Sequence, residues 1–383
     1  MTAETLVLLL VVGARFGVPL LIPRFPLPGI IASLVLDAVD QTVFQSLGMD
    51  PPGYQGYDKA MDVYYLAIAY LSTLRNWTSR PARQVASFLY FYRLVGVVAF
   101  ELTAWRPLLL LFPNTFEYFF IAYELVRLRW DPQRWGLRTW IGVAAVIWVV
   151  VKLPQEWWIH IAQLDVTEAL AAHPWLWAAM LALVVGVVSA LWWGVRPRLG
   201  RPDWTWQVAA PPLPPQVRTW RQRAEVAATG RVWSWVTAEK VALVGLISVV
   251  FAQVLPDVRS SDLQLFAGMG VVVVINVALS LAAARGGRGT DSALLAFGLR
   301  LLVNTALVVL ADALLSDGKG SLNLAGAVFF LAMLSLLTLL DDRFRPVAIH
   351  RDATSTQTAT SSQPAPPVQT ATPHLTTTTE NTP

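Results

Sequence analysis

Stretches of about 20 mostly apolar residues, the length a helix needs to cross a bilayer, recur from the N-terminus to residue 341. No other feature constrains the fold as strongly. A segment in lipid must satisfy every backbone donor and acceptor within the protein, and a helix does so by itself. Composition agrees with this. Charged residues are 14% of the 383 and hydrophobic residues 55%, whereas a soluble protein carries about 25% charged residues. So few charges cannot coat a soluble fold of this size. The expected fold class is all-α, a polytopic transmembrane helical bundle.

Eleven spans are expected, at 5–22, 27–47, 58–77, 84–105, 107–128, 138–158, 174–195, 238–256, 263–284, 292–315 and 323–341. Ten remain if the first, which holds Arg15 and Pro19, lies on the surface. Its flank, Met1 to Glu4, has no basic residue and no small-x-small site follows, so it does not read as a cleavable signal. Arginines gather in alternate connections: Arg75, Arg80 and Arg83; Arg127, Arg129, Arg134 and Arg138; Arg196 to Arg231; Arg285 and Arg288; Arg343, Arg345 and Arg351. The intervening connections carry acids, such as Asp50, Asp165, Glu168 and Asp257. The positive-inside rule then places the N-terminus outside, the C-terminus in the cytoplasm, and the chain in the plasma membrane as a multi-pass protein.

Four regions follow. Residues 1–195 form an N-terminal membrane bundle of about seven helices, and residues 237–341 a C-terminal four-helix bundle. Between them, 196–236 is a cytoplasmic linker with the Pro-rich stretch Pro211-Pro212-Leu213-Pro214-Pro215. The linker also carries a basic-aromatic helix from Trp220 to Trp235, suited either to anionic headgroups or to solvent. Residues 342–383, rich in Thr, Ser and Pro, read as a disordered tail.

Composition also excludes chemistry. The chain has no cysteine, which removes disulfides, thiolate metal sites and iron–sulfur clusters. Its four histidines, His160, His173, His350 and His374, lie outside the apolar spans, so a buried bis-histidine haem site is not available. His160, Asp165, Glu168 and His173 share a connection but match no zinc spacing. The net charge of +4 needs no nucleic-acid partner, because excess arginine on one side is normal for a membrane protein. Membrane lipids, and a small solute or ion, are the expected partners. Oligomeric state is not encoded in any motif.

Ionisable residues inside spans are costly and face a protein interior or an aqueous cavity. They gather in the first five spans. Asp37 and Asp40 are three apart, and Asp58 and Asp62 four apart, so each pair shares a helix face. The connection between them is short and holds Pro51, Pro52, Gly53 and Gly56, which brings all four aspartates toward one notch. Arg93 lies mid-span, with Glu101 nearer the outer end. Asn114, Glu117 and Glu124 can share a face just after Pro113. By depth, Arg15, Asp37, Arg93 and Glu117 form a middle layer able to neutralise itself. Asp40, Asp58, Asp62 and Glu101 form an acidic outer layer, with Lys59 and Arg106 at the rim. The last four spans carry little: Asn276, Arg300 and Asn304 are expected to hydrogen-bond helix to helix.

The spacing of the aspartate pairs is similar to that of Asp-rich membrane transferases that hold a diphosphate through Mg²⁺. The UbiA-type prenyltransferase pattern Asn-Asp-x-x-Asp-x-x-x-Asp is not matched by Leu36-Asp37-Ala38-Val39-Asp40-Gln41. The Asp-Gly and Ala-Arg elements of CDP-alcohol phosphotransferases are missing as well, so the chain is assigned to neither family.

The expected function is that of a transporter or permease. Its substrate or ion site is drawn from Arg15, Asp37, Asp40, Asp58, Asp62, Arg93, Glu101, Asn114 and Glu117, opens to the outer face, and needs no cofactor. A metal-dependent intramembrane enzyme acting on a lipid-linked phosphate is a second reading, with Asp40 and Asp62 holding Mg²⁺ or Mn²⁺. A non-catalytic scaffold, in which the charges are packing ion pairs, is the third.

Overall fold

The computed structural model describes residues 3–46, 54–157, 173, 175–194, 196–254, 262–287, 289–315 and 324–361. It is all-helical among these residues, with no strand. Helix α1 (Ala3–Gly17) runs into a single 3₁₀ turn, Val18–Leu21. Then come α2 (Pro26–Ser46), α3 (Tyr54–Asn76), α4 (Arg80–Thr103), the short α5 (Pro107–Leu111), α6 (Thr115–Arg127) and α7 (Leu137–Glu156). They are followed by α8 (Trp175–Gly194), the nine-residue α9 (Trp220–Ala228), α10 (Trp235–Val254), α11 (Asp262–Arg285), α12 (Ala293–Leu315) and α13 (Leu324–Ser361).

By length and composition, α4, α7, α10 and the Phe266–Arg285 part of α11 can cross a membrane. Their outer faces, and those of their neighbours, expose large apolar side chains: Leu294, Leu302, Val150 and Val271 are all more exposed than buried. Such a surface suits lipid rather than water. The chain is thus a helical membrane protein.

Helix α3 is the axis. From Ala60 to Leu74 nearly every residue is buried, whichever face it lies on, as expected of a helix enclosed on all sides. It packs against α1, α2, α4, α10 and α13. Because α10 and α13 also pack on α11 and α12, α3 joins the N-terminal helices to the C-terminal ones.

The structure corrects four sequence expectations. Span 5–22 is not one helix, because the α-helix stops at Gly17 and Pro19 sits in the 3₁₀ turn. Span 107–128 is broken between Leu111 and Thr115. Pro113 lacks an N–H and disfavours helix in the residue before it. The basic-aromatic helix ends at Ala228, not Trp235, and is started by a reciprocal Thr219–Gln222 cap. The linker before it is docked: the backbone amides of Asp203, Gln207 and Ala210 bond to the carbonyls of Arg129, Leu128 and Arg24. Finally, the expected tail is helical as far as Ser361, since α13 continues through Pro346. The remainder, 362–383, lies outside the described residues, as does the connection 158–172 with its histidine.

Within α7, residues Ile147–Lys152 form a wide π turn. Pro154 follows it and offers no donor to close the ordinary ladder. Turns of this kind re-aim side chains and recur at functional sites. Lys152 is the last residue of this turn and is buried.

Candidate functional site

Arg15 lies in the last turn of α1. The end of that helix is clamped to α3: Phe16 stacks on Tyr64 at 5.2 Å, and the Tyr64 hydroxyl donates to the Phe16 carbonyl at 3.1 Å. The clamp aims the Arg15 fork between α2 and α3. One terminal nitrogen, Nη1, donates to Asp40 and to Asp58, the latter at 2.6 Å. The other, Nη2, donates to Asp37 and, at 3.0 Å, to Asp62. The Tyr57 ring lies 5.6 Å from the guanidinium carbon. Arg15 and Asp40 are buried, while Asp37, Asp58 and Asp62 are partly open. Oxygens of these last three come within 4.8 Å of one another. One guanidinium thus faces four carboxyl groups, three more than it can neutralise.

Asp62 also borders a cavity of about 240 Å³, lined by Lys59, Arg93, Glu101, Asn114 and Tyr90 along with apolar side chains. Lys59 pairs with Glu101 at 3.0 Å and rests over the Phe100 ring. Arg93 donates to the Phe112 carbonyl at 2.9 Å, an acceptor freed by the break before α6. Close approach there needs Gly96, because a Cβ at that position would meet the Phe112 side chain at 2.1 Å. The Tyr90 hydroxyl and Asn114 Oδ1 are buried with no hydrogen-bond partner among the described residues.

Glu117 lies behind this cavity. It accepts from the Tyr65 hydroxyl at 2.8 Å and from Asn114 Nδ2 at 3.0 Å. Lys152 and Arg93 are within electrostatic reach of it, and the Lys152 ammonium sits 4.1 Å from the centre of the Tyr118 ring. Glu156 accepts from the backbone N–H of Asn114 at 3.3 Å.

The nine residues expected at the site thus fall into two adjoining groups. Arg15, Asp37, Asp40, Asp58 and Asp62 form one cluster rather than two layers, because an arginine side chain is long enough to bridge the depth between them. Arg93, Glu101, Asn114 and Glu117 surround or back the cavity. Arg93 bonds to a backbone carbonyl, not to the carboxylates of Asp37 or Glu117. Glu124 does not join Glu117; it bonds to Trp77 and Arg127. Of the two residues expected to hold a metal, Asp62 belongs to the converging trio and Asp40 does not.

Lys152 was not anticipated, although a lysine inside an apolar run was a visible signal. Tyr65 and Tyr57 carried no signal, since aromatic residues are common in spans.

A second set of ionisable residues was not anticipated either. Glu239 and Lys240 of α10, Arg300 of α12 and Asp341, Asp342 and Arg345 of α13 meet in one network. Arg345 donates to Glu239 at 3.1 and 3.2 Å and to Asp341 at 2.6 and 2.8 Å. Lys240 pairs with Asp341 at 2.9 Å and with Asp342. Arg300 reaches Asp342 and Ser280. The Tyr70 hydroxyl of α3 donates to Glu239, tying the network to the axis helix. Above it, Asn276 donates to Asn304 at 2.6 Å, and Asn304 to Ser335 at 2.8 Å, which links α11, α12 and α13 as expected of these polar residues.

Comparison with protein-family models, with curated proteins and with solved structures returns no match to this chain. The chemistry of the site therefore rests on its geometry.

Proposed function

We propose that the chain is a transporter or permease of the plasma membrane, whose Arg15 cluster takes up a proton or small cation from the outer face. The observation that carries this reading is the charge excess: four carboxylates on one guanidinium. An ion pair kept only for packing is best balanced, because an uncompensated buried charge costs several kcal/mol. The excess is instead suited to a counter-ion that comes and goes.

The adjoining cavity supplies charges of both signs for a small solute. Asp62 borders both cluster and cavity, so a proton or cation bound at the cluster changes the field felt by whatever occupies the cavity. That is a physical route to coupling, carried by differential binding rather than by distance.

The test is flux in proteoliposomes under an imposed proton, Na⁺ or K⁺ gradient. Wild-type protein should move the coupling ion, and Asp62→Asn should fall to background while retaining its fold. No movement under any gradient would remove the transport reading.

One observation favours a second reading. The convergence of Asp37, Asp58 and Asp62 suits Mg²⁺ or Mn²⁺, which prefer carboxylate oxygens. In an enzyme acting on a lipid-linked phosphate, Arg93 would hold the phosphate. Tight Mn²⁺ binding that vanishes in Asp62→Asn, with no flux in the wild type, would select this reading over transport.

A further inference from the structure

Asp62 and Arg75 are 13 residues apart on α3, about 20 Å at 1.5 Å per residue. Around Arg75 the charge is reversed. Five segments bring six arginines together: Arg24 from the turn before α2, Arg75 from the end of α3, Arg83 from α4, Arg223 from α9, and Arg343 and Arg351 from α13. Arg75 is within electrostatic reach of Arg24 and Arg223, Arg343 of Arg223, and Arg351 of Arg83 and Arg75.

Neutral atoms hold several of them in place. Arg75 Nη1 donates to the Pro23 carbonyl at 2.8 Å and to Asn76 Oδ1 at 2.6 Å. Arg351 donates to the Arg75 carbonyl, and Arg343 to the Asp291 carbonyl at 3.1 Å. Among the described residues, two carboxylates face the group. Asp291 lies 3.5 Å from Arg223, and Asp352 pairs with Arg83. Six guanidiniums against two carboxylates leave four positive charges unbalanced. Arg83 and Arg223 are buried nonetheless. Burial and the charges of Arg83 and Arg75 lower Arg351 to about 10, so it is still charged at neutral pH.

The positive-inside rule accounts for arginines near one surface. It does not account for their convergence, since solvated loop arginines repel one another and spread apart. A multiply charged anion among them would reverse the repulsion, and guanidinium forks match the oxygens of a phosphate group. We propose that the cluster of Arg24, Arg75, Arg83, Arg223, Arg343 and Arg351 is a binding site for a phosphate group, carried by an anionic phospholipid or by a phosphorylated solute. This inference is independent of the function proposed for the Arg15 cluster.

The test is thermal unfolding of the full chain in phosphatidylcholine nanodiscs, read by tryptophan fluorescence. One arm adds phosphatidylglycerol to the disc; the other adds inorganic pyrophosphate to the buffer; a control adds chloride at equal ionic strength. A bound anion raises the unfolding temperature by mass action. Stabilisation in the lipid arm assigns a headgroup, and stabilisation in the pyrophosphate arm a soluble ligand. Arg75→Gln and Arg351→Gln should each weaken the half-saturating concentration about tenfold, the loss of one charge-assisted contact, and Arg351→Lys should keep most of the effect. Without anion, each Gln variant sets its own baseline, because the side-chain bonds of Arg75 and Arg351 are lost with the charge; the test reads the anion-dependent rise above that baseline, which a merely structural role leaves undiminished. Should Arg75→Gln fail to fold, Arg351→Gln carries the test. Stabilisation equal to that by chloride, or undiminished in the Gln variants, would overturn the proposal.

Discussion

The Arg15 cluster sets one cation among four carboxylates, whereas the Glu239 network sets three cations against three anions. Both rest on α3, the first through Asp58 and Asp62 and the second through Tyr70. In the network, charges match in number and Asp341 is almost wholly buried between Lys240 and Arg345. A balanced, enclosed arrangement of this kind locks α10, α12 and α13 in register. The Arg15 cluster is unbalanced and three of its carboxylates are partly open. Charge balance, more than the number of ionisable groups, separates the two clusters, and the proposed uptake of a counter-ion rests on that difference.

The comparison can be broken most forcefully at Arg345. Arg345→Met leaves Asp341 and Glu239 short of their main cation, and removing one partner of a buried pair costs about 3–5 kcal/mol. A large drop in unfolding temperature is expected, with recovery at acidic pH limited to what protonation of Glu239 returns, because Lys240 and Arg300 still offset Asp341 and Asp342. A smaller loss, about 1–3 kcal/mol for buried acceptors left without a donor, is expected for Arg15→Gln. Here the sign of the pH effect sharpens the contrast. Four crowded carboxylates repel one another, protonation removes the repulsion, and the variant should regain stability as pH falls from mildly alkaline to mildly acidic. Equal pH responses in the two variants would mean that the clusters are alike. The smallest effect is expected at Asn304→Ala, which removes one donor and one acceptor between helices, worth about 1 kcal/mol in a membrane protein. A change in unfolding temperature as large as that of Arg345→Met would instead place Asn304 in the lock.

Much of the first cluster was legible in the chain because charge inside an apolar run is conspicuous. Asp37 and Asp40, and Asp58 and Asp62, share faces by spacing alone, and the few residues between the two pairs limit how far apart they can lie. Their convergence on Arg15 was not legible, since it depends on where α1 breaks and on the Phe16–Tyr64 clamp. The Glu239 network was hidden for a different reason. Glu239, Lys240, Asp341 and Asp342 stand at the ends of apolar runs, where charges ordinarily meet water. The arginine cluster was hidden in the same way: Arg75, Arg83, Arg223, Arg343 and Arg351 read as ordinary basic connections, and Arg24 carried no signal.

Apolar run length alone determined the all-helical class and most helix limits, because a backbone in lipid must bond to itself and a helix needs no partner to do so. Run length and charge spacing also marked the first five spans as the place of interest. Tertiary structure decided which charges meet. Ionic contacts are set in three dimensions by helix breaks at Gly17 and Pro113, by the enclosure of α3, and by the extension of α13 past the apolar run. Local sequence patterns describe one helix at a time, whereas the balance of charge in each cluster is a sum over residues far apart in the chain, 106 positions for the bond from Arg345 to Glu239 and 276 for that from Arg351 to Arg75.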